Sequence, residues 1–329
     1  MLKPTDKNQT TNKVVTITLN PALDLTGSLQ NLTLGSVNLV EQGSLHAAGK
    51  GVNVAKVLSD LGAEVTVTGF LGNENDILFC KLFDNMGAKD EFIRVTGSTR
   101  INVKLVEANG EVSDINFPGV EVSAQAIKAF EKRLFILAES HHFFVLAGSL
   151  PKGISPNLCA SWIEQLHQMG KKVFFDSSRS ALAAGLEAHP WLIKPNDDEL
   201  SEFVGAPLKT PLDCQQAALN LAEKGINNIV VSLGAKGVMW LSKEDNDMPQ
   251  WRYAQPPKMH VVSTVGAGDT LVAGFCWGHM QRWQAQQTLT FATALSALAV
   301  SQIGVGAPDI EEVINLQERI TLNNPIYSN

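Results

Sequence analysis

The stretch STVGAGDTLVAG, residues 263–274, sets a single carboxylate, Asp269, behind three small residues, Gly266, Ala267 and Gly268, at the head of an apolar run. Small residues at a helix start let backbone N–H groups converge on one point, where the helix dipole also favours negative charge. That composition suits an oxyanion site. An ionised aspartate beside such a site only accepts hydrogen bonds, so it can take a proton from a nucleophile attacking a bound anion. The same acid in a first helical turn also complements the dipole, by about 0.3–1 kcal/mol. The stretch alone leaves both uses open.

Three other stretches carry chemistry-bearing residues. HAAGKGVNVAKVLSDLG (46–62) puts Gly49 and Gly51 at a helix start, again suited to an anion, with Lys50 as a mobile cation. It is not a Walker A loop, which needs Ser or Thr where Gly51 stands and Gly where Ser44 stands, nor is it GxGxxG. Tight packing beside a solvated lysine is the alternative. Asn53 is a poor interior helix former and suits hydroxyl recognition. In WLIKPNDDEL (191–200) a strand ends at Lys194-Pro195, and Asn196 precedes Glu199 by three residues. That spacing is a capping box, and at the carboxyl end of a strand it can also hold the water shell of a Mg²⁺–nucleotide. VVSLGAKGV (230–238) runs from a strand into a turn at Gly234 and Gly237, either simply tight or touching a nucleotide. Ser149 in LAGSLPKG lacks the flanking glycines of a nucleophile elbow and reads as a ligand-contacting hydroxyl. The seven histidines show no HxxxH or HExxH spacing, which disfavours a zinc hydrolase.

The elements that must position these residues follow from periodicity. Short β-branched runs at 14–19, 64–70, 143–148, 172–177, 191–196 and 229–234 alternate with helical patterns at 51–61, 77–86, 156–169 and 213–224. Strands and helices at this spacing predict βαβ units around a mainly parallel sheet covered on both faces, an α/β fold. Segments near 22–46 and 98–118 break the rhythm. The second reads as two alternating strands about a turn at Asn109-Gly110, so a small β-lid beside the main sheet is expected. The region from about 268 to 317 reads as largely helical.

Composition bounds the function. The chain has 329 residues, 44% apolar, which is enough for a full core. A net charge of −7 disfavours broad binding to nucleic acid or anionic membrane, so an anionic ligand must be held locally. Cys80, Cys159, Cys214 and Cys276 are far apart, without CxxC, and are expected to be reduced residues of a cytoplasmic protein. Residues 1–13 are polar and expected to be a frayed tail, followed by one domain over 14–329.

NPALD (20–24), AAGKGVN (47–53), TRIN (99–102), GSLPKG (148–153), KPNDDE (194–199), SLGAKG (232–237) and STVGAGD (263–269) stand in an order that resembles ribokinase-like sugar kinases of the phosphofructokinase B family. The resemblance covers about residues 14–316. It implies a ribokinase-like three-layer fold, ATP and Mg²⁺ as cofactors, a monovalent cation as an open option, and a homodimer formed through the lid. Position by position, it makes Asp269 the base and Gly266, Ala267 and Gly268 the anion hole. Asp24, Gly49, Asn53 and Arg100 fall where the family binds the sugar phosphate, joined by Lys50 and Ser149. Lys194, Asn196, Ser232, Gly234, Gly237 and Thr264 fall on the nucleotide side, with Asn196 and Glu199 toward Mg²⁺ through water. The implied reaction is ATP-dependent phosphorylation of fructose 1-phosphate at O6. Tagatose 6-phosphate or fructose 6-phosphate is the alternative acceptor, and a non-catalytic sugar-phosphate sensor the remote one. Departures are small: Cys276 stands where another small or apolar residue is usual, and Ala47-Ala48 replace glycines common in the family.

Overall fold

A computed structural model describes residues 12–243, 249–302 and 304–323. The first elements in chain order are β1 (Lys13–Thr18), β2 (Ala22–Leu29), β3 (Gln42–Ala48), α1 (Lys50–Asp60), β4 (Glu64–Gly72), α2 (Ile77–Met86), β5 (Lys89–Asp90) and β6 (Ile93–Val95). There follow β7 (Ile101–Glu107), β8 (Val112–Asn116), α3 (Ala124–Ser140), β9 (Phe143–Ala147), α4 (Pro156–Gln168), β10 (Lys172–Asp176), α5 (Arg179–Leu186), β11 (Leu192–Ile193), α6 (Asp197–Val204) and α7 (Pro211–Glu223). The chain closes with β12 (Asn228–Ser232), β13 (Val238–Ser242), β14 (Gln250–Gln255), α8 (Ala267–Met280), α9 (Ala285–Ala299), α10 (Ile310–Gln317) and β15 (Thr321–Asn323). Of the expected tail, residues 1–11 lie outside the described residues, and Lys13 already belongs to β1.

The main sheet has the order β15-β14-β13-β12-β11-β10-β9-β1-β4-β5, with β6 also on β4. From β12 to β5 every pairing is parallel, while β13, β14 and β15 add an antiparallel edge. The mainly parallel α/β sheet expected from the alternating pattern is therefore present. Its antiparallel edge follows from the short Gly234–Gly237 turn, which reverses the chain directly after β12. The run 191–196 is a strand only at Leu192–Ile193, because Pro195 cannot donate to a ladder and Asn196 already caps α6.

Strand side chains alternate between two apolar layers. Val15, Ile17, Phe144, Leu146 and Phe175 pack with Phe130 of α3 and Trp162 of α4. Val14, Val145 and Phe174 pack on the opposite side with Val54 of α1, Phe275 of α8 and Leu289 of α9. Cys159, Cys214 and Cys276 are buried and all four cysteines are free, with burial pushing the Cys159 thiol up to about 12. Among the described residues no helix is long and apolar enough to cross a membrane.

The two segments that break the rhythm form a separate four-stranded sheet, β3-β2-β7-β8. Its β7–β8 hairpin turns at Asn109-Gly110, where Gly110 has φ 88°. Register fixes what each face carries. His46, Asp24, Asn102 and Asn116 stand side by side across the four strands, and Ser44, Thr26, Lys104 and Asp114 form the next row on the same face. Leu45, Leu25, Val103 and Ile115 line up on the other face. One side of the small sheet is thus polar and the other apolar.

Candidate active site

Helix α8 is preceded by its N-cap Gly266, whose φ of 80° favours glycine, and a Cβ there would stand 2.6 Å from Val305 Cγ2. The Gly266 carbonyl accepts from the Thr270 N–H and hydroxyl, both at 2.8 Å, while Ser296 Oγ donates to the Ala267 carbonyl at 2.9 Å. These bonds tie the first turn to itself and to α9. The turn is thereby held with its backbone N–H groups free of side-chain caps, the geometry that suits an anion.

Asp269 sits in this turn and is only 6% exposed. Asn53 Nδ2 of α1 donates to its Oδ2 at 2.7 Å. Burial, reinforced by the nearby Asp176 carboxylate, pushes Asp269 up to about 6, while Asn53, Lys50 and Lys194 act in the opposite direction. A carboxyl tuned to that range is ionised at neutral pH yet still basic enough to take a proton. Asn53, which suits hydroxyl recognition, in the structure donates its amide N–H to Asp269. It is carried there by the close approach of α1 to β1, which only a residue without Cβ permits at position 51. A Cβ on Gly51 would lie 2.4 Å from Thr18 Oγ1 and 2.8 Å from the Ile17 carbonyl. At Gly51, packing is therefore the role seen.

Asp176, at the end of β10, is the residue that sequence reasoning missed. Its side chain is 1% exposed and stands between two ammonium groups, Lys50 Nζ at 3.3 Å and Lys194 Nζ at 3.6 Å. Lys50 is thus not the mobile cation expected from its glycine-rich setting, because a buried carboxylate holds it. Burial works against its charge, but Asp176, Asp269 and Glu199 outweigh that, and its pKa is raised. Lys194, expected on the nucleotide side, also reaches the α8 turn: a Cβ on Gly268 would lie 3.4 Å from its Nζ. Two buried carboxylates and the buried Lys194 ammonium are therefore joined by the part-exposed Lys50 ammonium. The available signal was a lone acid closing the apolar strand KVFFD.

A second cluster gathers Asp24, Arg100 and Ser149. Arg100 Nη2 donates to the Asn20 carbonyl at 3.0 Å, and Asn20 Nδ2 donates to Ser149 Oγ at 3.1 Å. Asn20, also not singled out beforehand, links the two. Arg100 further donates to the carbonyls of Pro21 and Phe117, and burial lowers its pKa, partly offset by Asp24. No carboxylate lies within ion-pair distance of Arg100 among the described residues. Asp24 accepts from Asn102 Nδ2 at 3.2 Å; burial raises its pKa against the pull of Asn102, Lys104 and Arg100. The loop before Ser149 is pinned beside the first cluster, since Gly148 N–H donates to the Asp176 carbonyl at 2.9 Å. Gly49, with φ 133°, caps α1 at the same edge.

The third group lies at the ends of β11 and β12. Asn196 and Glu199 form a complete capping box: Asn196 Oδ1 accepts from Glu199 N–H at 2.6 Å, and Glu199 Oε2 from Asn196 N–H at 3.0 Å. Ser232 N–H donates to the Pro195 carbonyl at 3.1 Å, so the Ser232–Gly237 turn abuts this box. Gly237 is demanded by packing, as a Cβ would lie 2.1 Å from the Ala254 carbonyl. Gly234 opens the turn with φ 57°, and Thr264 is exposed, its carbonyl accepting from Ala267 N–H. Among the described residues Glu199 Oε1 has no hydrogen-bond partner beyond the box. One free carboxylate oxygen fits Mg²⁺ held through its water shell, which is how that ion is commonly kept when phosphates supply other ligands.

A buried acid at a helix start and two lysines thus meet at the carboxyl ends of central strands of an α/β sheet. The chain belongs to the pfkB family of carbohydrate kinases, whose family model matches residues 11–312. It is 66% identical over 313 residues to the 1-phosphofructokinase of Vibrio cholerae, covering 95% of this chain and 97% of that one. It is 46% identical over 310 residues to the 1-phosphofructokinase of Escherichia coli K12, covering 94% and 98%. A crystal structure of phosphofructokinase-2 from Escherichia coli in complex with potassium superposes with a TM-score of 0.85 at 25% identity, covering 93% of this chain and 98% of that one. The fold is ribokinase-like.

The state of Asp269 has a consequence for stability. Its folded pKa, about 6, lies above the ordinary 3.8, so the folded chain holds the proton more tightly than the unfolded chain. That contribution is complete below pH 3.8 and is lost as pH rises through about 6. Asp269→Asn, which cannot ionise, is expected to gain in melting temperature relative to the wild type as pH is raised from about 4 to 7. A difference that stays constant over this range in calorimetry would show that Asp269 is not a penalised buried charge.

Proposed function

We propose that the chain transfers the γ-phosphoryl group of ATP to O6 of fructose 1-phosphate, giving fructose 1,6-bisphosphate, with Asp269 as the base. The observation that carries this reading is the buried Asp269 held by Asn53 in the first turn of α8, beside Lys50 and Lys194. The substrate assignment is supported by the 66% identity to a protein named 1-phosphofructokinase.

Phosphoryl transfer needs alignment and charge stabilisation more than covalent help. In this reading Asp269 accepts the proton of the attacking hydroxyl, and Asn53 aims its carboxylate. The turn Gly266–Gly268 and the Lys194 ammonium receive the negative charge of the moving group. Asp24 and Ser149 orient sugar hydroxyls, while Arg100, tethered by three backbone carbonyls, offers its unneutralised charge to the phosphate already on the sugar. ATP lies toward Lys194, Thr264 and the turn Ser232, Gly234, Gly237. Asn196 and Glu199 would hold Mg²⁺ through water, and such an ion would supply positive charge against the phosphates when bound. A monovalent cation fits as an additional activator, given the potassium complex of a structural neighbour.

The small sheet acts as a lid whose apolar face pairs with that of a second copy. Leu25, Leu45 and Ile115 are left exposed on that face, too much apolar surface in one place for a sheet meant for water.

Three measurements test the reading. ATP consumption at matched concentrations should favour fructose 1-phosphate over fructose 6-phosphate and tagatose 6-phosphate, and preference for either of the others would overturn the substrate. Asp269→Asn should lower kcat by about 10²–10⁴-fold with little change in sugar or ATP binding, whereas near-normal turnover would remove Asp269 as the base. The chain should sediment as a dimer and Ile115→Glu as a monomer; a monomeric wild type would remove the lid interface.

A further inference from the structure

The polar face of the small sheet holds a cation that the proposed sugar site does not use. Along β7 the residues Arg100, Asn102 and Lys104 alternate with Ile101 and Val103, so all three project from one face, Arg100 being the residue just before the strand. Successive members are about 6.6 Å apart, which places the two cations about 13 Å apart at the backbone, one on each side of Asn102. Asn102 is the residue that donates to Asp24. The pairing Asp24↔Asn102 and Thr26↔Lys104 puts Lys104 one row further from the main sheet on the face that carries Asp24. Both cations act on the Asp24 carboxylate. Lys104 is largely packed, its side chain 22% exposed, and is held by an ion pair to Asp114, its cross-strand neighbour on β8. Asp114 itself is half exposed to solvent.

We infer that Lys104 is a second cation of the sugar-phosphate subsite and helps set selectivity for the phosphate carried by the acceptor sugar, with Asp114 parking its ammonium until that phosphate arrives. The inference rests on the proposed reading of Asp24 and Arg100 as sugar-phosphate contacts. A sugar whose hydroxyls meet Asp24 has its phosphate within range of either end of the Arg100–Lys104 row, and long side chains from both ends can fold over Asn102. Arg100 reaches the phosphate from the hinge side, where backbone carbonyls fix it. Lys104 reaches it from the outer side, exchanging one oxygen anion for another. A lone carboxylate on an exposed strand holds a lysine weakly enough for this exchange, since exposed ion pairs contribute about 0–1 kcal/mol.

If Lys104 only braced the sheet through Asp114, loss of either partner would act alike. If it binds phosphate, the two losses separate. Lys104→Met should raise KM for the acceptor sugar phosphate about tenfold or more, leaving KM for ATP and the melting temperature near wild type. Lys104→Arg, which keeps the charge, should restore most of that loss. Asp114→Asn should leave KM for the sugar phosphate unchanged or lower, because it frees the ammonium. Equal rises in KM for Lys104→Met and Asp114→Asn, or no rise for a folded Lys104→Met, would overturn the inference. The acceptor in these assays is whichever ketose phosphate the wild type turns over fastest. Should that not be fructose 1-phosphate, the substrate reading fails while the Lys104 comparison is still decided on the better acceptor.

Discussion

Two buried carboxylates, the buried Lys194 ammonium and the part-exposed Lys50 ammonium gather where β10, the end of β11, α1 and α8 meet, and the arrangement depends on their charges balancing. Asp176 alone in that setting would be a costly unpaired charge, and so would either lysine. Together with Asp269 they sum to zero, which is how three buried ionisable side chains and the part-exposed Lys50 can share one place. The balance is local and uneven. Asp176 lies between the two lysines, so Asp269 is left with a hydrogen bond from Asn53 and weaker pull from the cations. Burial, reinforced by the Asp176 carboxylate, therefore raises its proton affinity against that pull. An incoming phosphate would shift the balance again, since Lys194, held by Asp176, also stands against the α8 turn.

Much of this could be read from residue order, and the parts that could not share a physical reason. The parallel sheet was legible because each strand is a short apolar run bounded by turn residues. Asp269 was legible because an acid among small residues at a helix start is chemically unusual. The small sheet was legible because the period changes to two around TRINVKLVEANGEVSDINF. Asp176, Asn20 and Asn102 were not singled out, because each takes its meaning from a partner far along the chain: Lys50 and Lys194, Ser149, and Asp24. The spacing of Asn196 and Glu199 fits both a capping box and a metal shell. The structure shows the box complete, with one carboxylate oxygen left over.

The glycine-rich motifs divide in a way their sequences conceal. Gly51 and Gly237 are required by what packs against them and Gly266 by its backbone angle, whereas a Cβ on Gly268 would make only an ordinary contact with Lys194. A motif that reads as one ligand cradle is partly a packing device. At 49–53 the packing device brings Asn53 to Asp269, so close helix–strand contact is itself a condition for the acid's orientation.

The alternation along β7 sets how this chain can change over evolutionary time. Even-numbered positions face the polar side and odd-numbered ones the apolar side, so exchange of a single residue alters one property and spares the other. A one-residue insertion within the strand would do the reverse, turning Asn102 and Lys104 toward the apolar face and Val103 toward Asp24. The strand can therefore tolerate substitution far better than it can tolerate a change of length. A change of length is better placed in the connections at its ends, such as the four-residue stretch between Glu107 and Val112.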